Sequence, residues 1–169
     1  NWLWANRQVL AQAGVAAEPA SFDEFIAAAR KVRQAGFIAI AHGGQPWQEA
    51  IVFDSVALST GGADYYRKAF IERDPATIRS ATTRKVFQRM AQIRSLVDKD
   101  FSGRDWNVAS GMVIAGKAGF QIMGDWAKGE FASAKQVAGK DYGCFAGFGA
   151  KAPYMIAGDV FVFPKTKNA

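Results

Sequence analysis

Gly44-Gln45-Pro46-Trp47-Gln48 opens an apolar helical stretch, and Gln121-Ile122-Met123-Gly124-Asp125-Trp126 repeats that layout further on. Each places a tryptophan and polar groups where a short apolar strand hands over to a helix. Open α/β sheets gather ligands at that edge, in the crevice beyond the strand ends. An indole face covers the apolar side of a polyhydroxylated ring, while amides and a carboxylate exchange hydrogen bonds with its hydroxyls. The chemistry expected is capture of a neutral, sugar-like molecule, with no bond made or broken.

Each candidate also has a plainer structural use. Trp47 falls at the second position of its helix, where first-turn N–H groups lack partners. Its indole either stacks on a ligand or packs at the sheet edge, and its residue type leaves both open. Gln45 and Gln48 can bond hydroxyls, although exposed glutamines are common. Asp125 suits the N-cap of the next helix, worth about 1 kcal/mol, and its second oxygen can still face a cleft. Trp126 either joins the ligand wall or packs beneath that cap. His42 is the only histidine; a hydrogen-bonded structural role is its default reading, and no second histidine offers a His-based metal site.

Catalytic signatures are lacking. Gly116-Lys117-Ala118-Gly119 falls short of a phosphate-loop frame, no G-x-S-x-G occurs, and no nucleophile is paired with a base. An enzyme is not expected, and no metal or cofactor is implied. The net charge of +6 is spread along helix faces such as Arg79, Arg84, Lys85, Arg89 and Arg94, mixed with acids. That is a solvated helix surface rather than a nucleic-acid interface. Cys144 is the single cysteine, which excludes an internal disulfide.

The elements that must position these residues follow from periodicity. With 169 residues, half of them hydrophobic and 13% aromatic, the chain can build a substantial core. Leu3 to Ala13 reads as a helix stopped by Gly14. Ser21 and Glu24 form a capping box ahead of Phe25, Ile26, Ala29 and Val32. Phe37 to Ala41 reads as a strand buried on both faces, and Pro46 starts a helix that Gly61-Gly62 closes. A helix is expected over Thr82 to Asp98, with Val86, Phe87, Met90, Ile93 and Val97 along one stripe. Another lies near Trp106 to Ile114, a strand over Ala118 to Ile122, and a helix over 126–138. Tyr142 to Ala146 and Val160 to Phe163 read as two further strands. The alternation predicts an α/β fold in layers. The abrupt aromatic start, Asn1-Trp2-Leu3-Trp4, reads as a piece of a longer polypeptide.

Together these segments resemble the extracellular solute-binding proteins of ABC sugar importers, in particular the glucose/mannose-binding branch. The resemblance rests on Asn1 to Asn6, Ser21-Phe22-Asp23-Glu24-Phe25, His42 to Gln48, Met123-Gly124-Asp125-Trp126-Ala127 and Gly158 to Lys165. It implies a periplasmic-binding-protein-like (type II) lobe, three-layered, with helices on a mixed sheet. Residues 1–169 would be the second lobe of a two-lobed clamp, without the first lobe and the C-terminal helices. It also implies a periplasmic location, a monosaccharide ligand such as glucose, and ABC permease subunits in the inner membrane as partners. The candidate ligand-binding set is Trp47, Asp125, Gln45, Gln48, Trp126, Met123 and His42, with Tyr65 or Tyr66 as outlying candidates. Two positions depart from the family pattern: Phe22 stands where Trp is usual, and Gly119-Phe120 replaces Ala-Met. An oxidising periplasm would let Cys144 pair with a cysteine outside this chain.

Overall fold

The computed structural model describes residues 1–146, 148, 153, 155, 156 and 158–165. Strand β1 (Trp2–Asn6) leads into helix α1 (Arg7–Gln12), and α2 (Phe22–Gln34) precedes strand β2 (Ile38–Ile40). Helix α3 (Pro46–Tyr66) runs into one π-helical turn at Arg67–Ile71, followed by α4 (Pro75–Ile78) and α5 (Ala81–Arg94). Helix α6 (Trp106–Ile114), strand β3 (Ala118–Met123), a 3₁₀ turn at Asp125–Ala127, helix α7 (Lys128–Ser133) and strand β4 (Tyr142–Ala146) complete the order.

The sheet order is β2-β3-β1-β4. Strands β2 and β3 are parallel, joined in register at Ile38–Ala118 and Ile40–Phe120. Strand β1 runs antiparallel to both β3 and β4. Alternation along the strands feeds two cores. Leu3, Ala5, Phe120 and Ile122 meet Phe25, Ile26, Val32, Val56 and Ile93 from α2, α3 and α5. Trp4 and Met123 meet Ala109, Val113 and Phe131 from α6 and α7 on the opposite face. The sheet therefore lies between two helical layers, as the α/β expectation required. Burying each large side chain of these cores contributes about 1.5–3 kcal/mol.

Local signals explain most boundaries. The Ser21 hydroxyl accepts from Glu24 N, and the Glu24 carboxylate reaches back to Ala20 N at 2.8 Å. Phe22 and Gly119 are both buried. The Phe22 ring lies edge-on to Phe25 and Phe148, with the Arg89 guanidinium 4.4 Å above it.

Five expectations need correction. Trp2 to Asn6 is a strand rather than the start of a helix, because the sheet has an open slot between β3 and β4 that bulky aromatic residues fill well. Asn6 then caps the shorter α1: its Oδ1 accepts from Val9 N at 2.9 Å, while its Nδ2 donates to Val113 O at 2.8 Å. Gly62 kinks α3 with φ 79°, but the helical path resumes as far as Tyr66. Helix α5 stops at Arg94 because Val97 is drawn to the sheet, where it bridges Ile40. Helix α7 is short, and Lys135 beyond it adopts φ 58°. Val160 to Phe163 pairs with no strand among the described residues, and its four side chains are 79–95% exposed.

Asn6→Ala removes a helix cap and a buried bond between layers together. Its expected cost is about 2 kcal/mol of unfolding free energy. Urea unfolding of the variant beside the parent measures it; a loss below a few tenths would mean that water replaces both bonds.

Candidate functional site

Because β2 and β3 are parallel neighbours, their C-terminal ends emerge at one sheet edge. After β2 the chain turns through His42 to Gly44, with Gln45 as N-cap of α3, Pro46 first in the helix and Trp47 second. After β3 it turns at Gly124 and enters the 3₁₀ turn at Asp125. Trp2, paired with Met123, begins β1 at the same edge. The two turns thus meet at one end of the sheet.

Trp47 and Trp126 meet there. Their ring centroids lie 6.4 Å apart at 49°, and they remain 41% and 45% exposed. Most tryptophans are covered far more completely, so the pair stands out as an exposed aromatic surface. The rings touch each other, which leaves no room for a third ring between them. Only the outer faces of the pair are left for a third ring to stack on. Gly124 makes the arrangement possible: a Cβ there would fall 2.2 Å from the Trp126 ring. Asp125, beside Trp126, is exposed. It is not the cap: Gly124 holds that position, and no side-chain capping bond forms. The Asp125 carboxylate is free of the helix it begins.

The glutamines form a network behind Trp47. The indole Nε1 donates to Gln45 Oε1 at 2.7 Å, and Gln48 Nε2 donates to the same oxygen at 3.2 Å. Gln45 Nε2 donates in turn to Asp105 Oδ1 at 2.6 Å. Gln48 has no exposed surface; its Nε2 also reaches Arg104 O at 3.3 Å. It supports the crevice wall from within rather than facing a ligand. Met123 is likewise buried, and its carbonyl accepts from Trp4 Nε1 at 3.3 Å. Only the backbone of that turn approaches the crevice.

His42 points elsewhere. It is buried, its ring lies along Phe101 at 6.0 Å, and its Nε2 stands 3.2 Å from Glu49 Oε1 without hydrogen-bond alignment. It forms part of the lining of a cavity of about 320 Å³ between α3 and α5, with Val52, Ile93 and Val97. Burial pushes its pKa below the usual histidine value, partly offset by Glu49, so the ring is neutral at neutral pH. Tyr65 and Tyr66 lie at the far end of α3, bonded to Thr83 and Asp54 respectively, away from the crevice.

Two residues of this edge, Arg104 and Asp105, escaped the sequence reading. Arg104 pairs with Asp98 through both terminal guanidinium nitrogens, Nη1 at 2.8 Å, and Nη1 also donates to His42 O at 3.2 Å. Gly44 N donates to Arg104 O at 2.9 Å. These bonds clamp the loop before α6 onto the turn after β2. Asp105, N-cap of α6, extends the clamp to Gln45. An Asp directly before an apolar helical run is a legible cap signature; its link to Gln45, sixty positions away, is not. Gln121 ties the same helix to β3, accepting from Ser110 at 2.7 Å and donating to Trp106 O at 3.0 Å. Among the described residues no three His, Cys, Asp or Glu side chains converge as a metal site requires.

This geometry can hold a neutral ring by its apolar face and bond its hydroxyls through an exposed carboxylate. A probable sugar-binding periplasmic protein of Rhizobium meliloti strain 1021 is 49% identical over 168 residues, which is 99% of this chain and 40% of that protein. The solved structure of the bacterial solute receptor AcbH, described as having an exclusive preference for β-D-galactopyranose, matches with TM-score 0.68 and 26% identity. It covers 85% of this chain and 36% of the receptor. A structure described for xylan utilization by Caldanaerobius polysaccharolyticus gives TM-score 0.75 at 21% identity, over 86% of this chain and 37% of that one. At that identity the likeness concerns the fold alone, which is that of the type II binding proteins. The chain spans about 40% of the length of the curated relatives it matches. The profile described as "Bacterial extracellular solute-binding protein" covers residues 1–169, and the chain belongs to that family.

Proposed function

We propose that residues 1–169 form the second lobe of a periplasmic, two-lobed protein that binds a neutral monosaccharide and delivers it to an ABC permease. The first lobe and the C-terminal helices would come from the rest of the polypeptide. The observation that carries this reading is the shared edge of β2 and β3, which presents the Trp47–Trp126 pair beside the exposed Asp125 carboxylate. The relatives named as sugar-binding periplasmic proteins support it. Glucose is the first ligand to test. The sugar lies with its C–H face on an outer indole face, Asp125 accepts from two hydroxyls, and the opposing lobe supplies the remaining contacts. Closure excludes water and creates the form that the permease recognises.

Calorimetric titration of the full-length protein with D-glucose, alongside maltose and a free amino acid, tests the reading. One-to-one glucose binding supports it. Heat from maltose alone moves the ligand to disaccharides, and silence for every sugar removes the proposal. Asp125→Ala is expected to weaken sugar binding by about 1.5–3 kcal/mol, the usual loss of a charged hydrogen bond. Unchanged affinity would take Asp125 out of the site.

A further inference from the structure

Asp105 is a residue of the preferred capping type at the N-cap of α6, yet its side chain makes no capping bond. Its carboxylate is turned instead to Gln45 Nε2, at 2.6 Å. A side-chain cap normally stabilises a helix start, so the diversion needs a compensating use. The chemistry of the amide supplies one. A carboxylate can only accept, so it holds the NH₂ end of Gln45 toward itself and turns the carbonyl the other way. That carbonyl is where two donors converge, Trp47 Nε1 at 2.7 Å and Gln48 Nε2 at 3.2 Å. If the Gln45 amide turned over, its NH₂ would face two N–H groups, and the indole N–H would lose its bond to Gln45.

We propose that Asp105 is a positioning residue for the Trp47 indole, acting through the orientation of the Gln45 amide. The Gln45 carbonyl and the indole N–H are thereby used within the protein. Trp47 offers a ligand its ring face and no donor. Its tilt against Trp126 is set from α6, an element that touches neither indole through this bond. Within the proposed function, which this inference rests on, the indole pair is a preset apolar platform, and polar recognition is left to Asp125 and the opposing lobe.

The test uses the full-length protein labelled with ¹⁵N-tryptophan, with the Trp47 indole N–H resonance identified by its absence in Trp47→Phe. In the ligand-free protein, Asp105→Ala is expected to move the Trp47 resonance toward the position of an indole without a strong acceptor. Asp105→Asn, which keeps an acceptor oxygen, should return it most of the way. Asp105→Lys should shift it furthest, since an ammonium draws the Gln45 carbonyl toward itself. A Trp47 resonance that is indifferent to all three substitutions overturns the proposal, as would an Asn variant no better than Ala. Glucose titrations then separate this inference from the functional reading. Asp105→Ala should lower affinity about 3- to 10-fold, the equivalent of one hydrogen bond, and should have no further effect in the Trp47→Phe background. A moved resonance with unchanged sugar affinity upholds the positioning role and removes Trp47 from the sugar site.

Discussion

Arg104→Met is expected to lower the unfolding free energy by about 3 kcal/mol, because it leaves the Asp98 carboxylate largely buried without its partner. The two side chains are only 11% and 15% exposed, and the guanidinium engages both carboxylate oxygens. The bonds to His42 O and Asp100 O disappear with it, so the loop before α6 loses its hold on the turn after β2. Hydrogen bonding to Arg104 is the largest of the influences that hold the Asp98 carboxyl below its usual range. Folding therefore favours the ionised form. The resulting stability is fully present above the unfolded-chain value near 4 and is lost as pH falls through the lower folded-state value. Urea unfolding should show a wide gap between parent and variant at pH 7 and a narrower one at pH 3. Asp98→Leu combined with Arg104→Met should recover most of the loss, since an apolar pair leaves no stranded charge. A gap that is constant with pH would mean that Arg104 acts through packing alone.

The sequence carried the parts of this fold that depend on neighbours in the chain. The Ser21–Glu24 cap, the buried runs of β2 and β3 and the Pro46 start of α3 all rest on contacts within a few residues. So does the placement of Trp47 and Trp126 at strand-to-helix junctions, which is why both indoles could be proposed before their contact was visible. What periodicity could not supply depends on partners far away. Trp2 to Asn6 becomes a strand because β3 and β4 flank it from more than a hundred positions downstream. Val97 leaves its helix because Ile40 offers a bridge. Asp105 looks like an ordinary cap until Gln45 is seen beside it. Gln48 and Met123 show the same limit from the other side: their position in a motif suggested ligand contact, while burial directs them inward.

Gly44→Ala should be the most disruptive single methyl in the site. A Cβ at this position would lie 2.3 Å from Gly103 N, 2.5 Å from Phe101 O and 2.7 Å from Ser102 Cα. All three are backbone atoms, so no side-chain rotation relieves the overlap, and the loop itself must withdraw. Withdrawal stretches the bond from Gly44 N to Arg104 O and the bond from Gln48 Nε2 to the same carbonyl. It also carries Asp105 away from Gln45, and with it the hold on the indole. Overpacking of this kind costs about 1–3 kcal/mol, and sugar affinity should fall alongside stability. Gly103→Ala is the matched control. Gly103 has φ 72° and open space where the new methyl would stand, so its penalty is backbone strain of about 1–2 kcal/mol without displacement of the neighbouring turn. Thermal unfolding and glucose calorimetry on both variants separate the two causes. Gly44→Ala should lose stability and affinity together, whereas Gly103→Ala should lose stability and keep most of its affinity. Equal affinity losses in the two would mean that loop conformation, rather than the close approach at Gly44, sets the geometry of the binding edge.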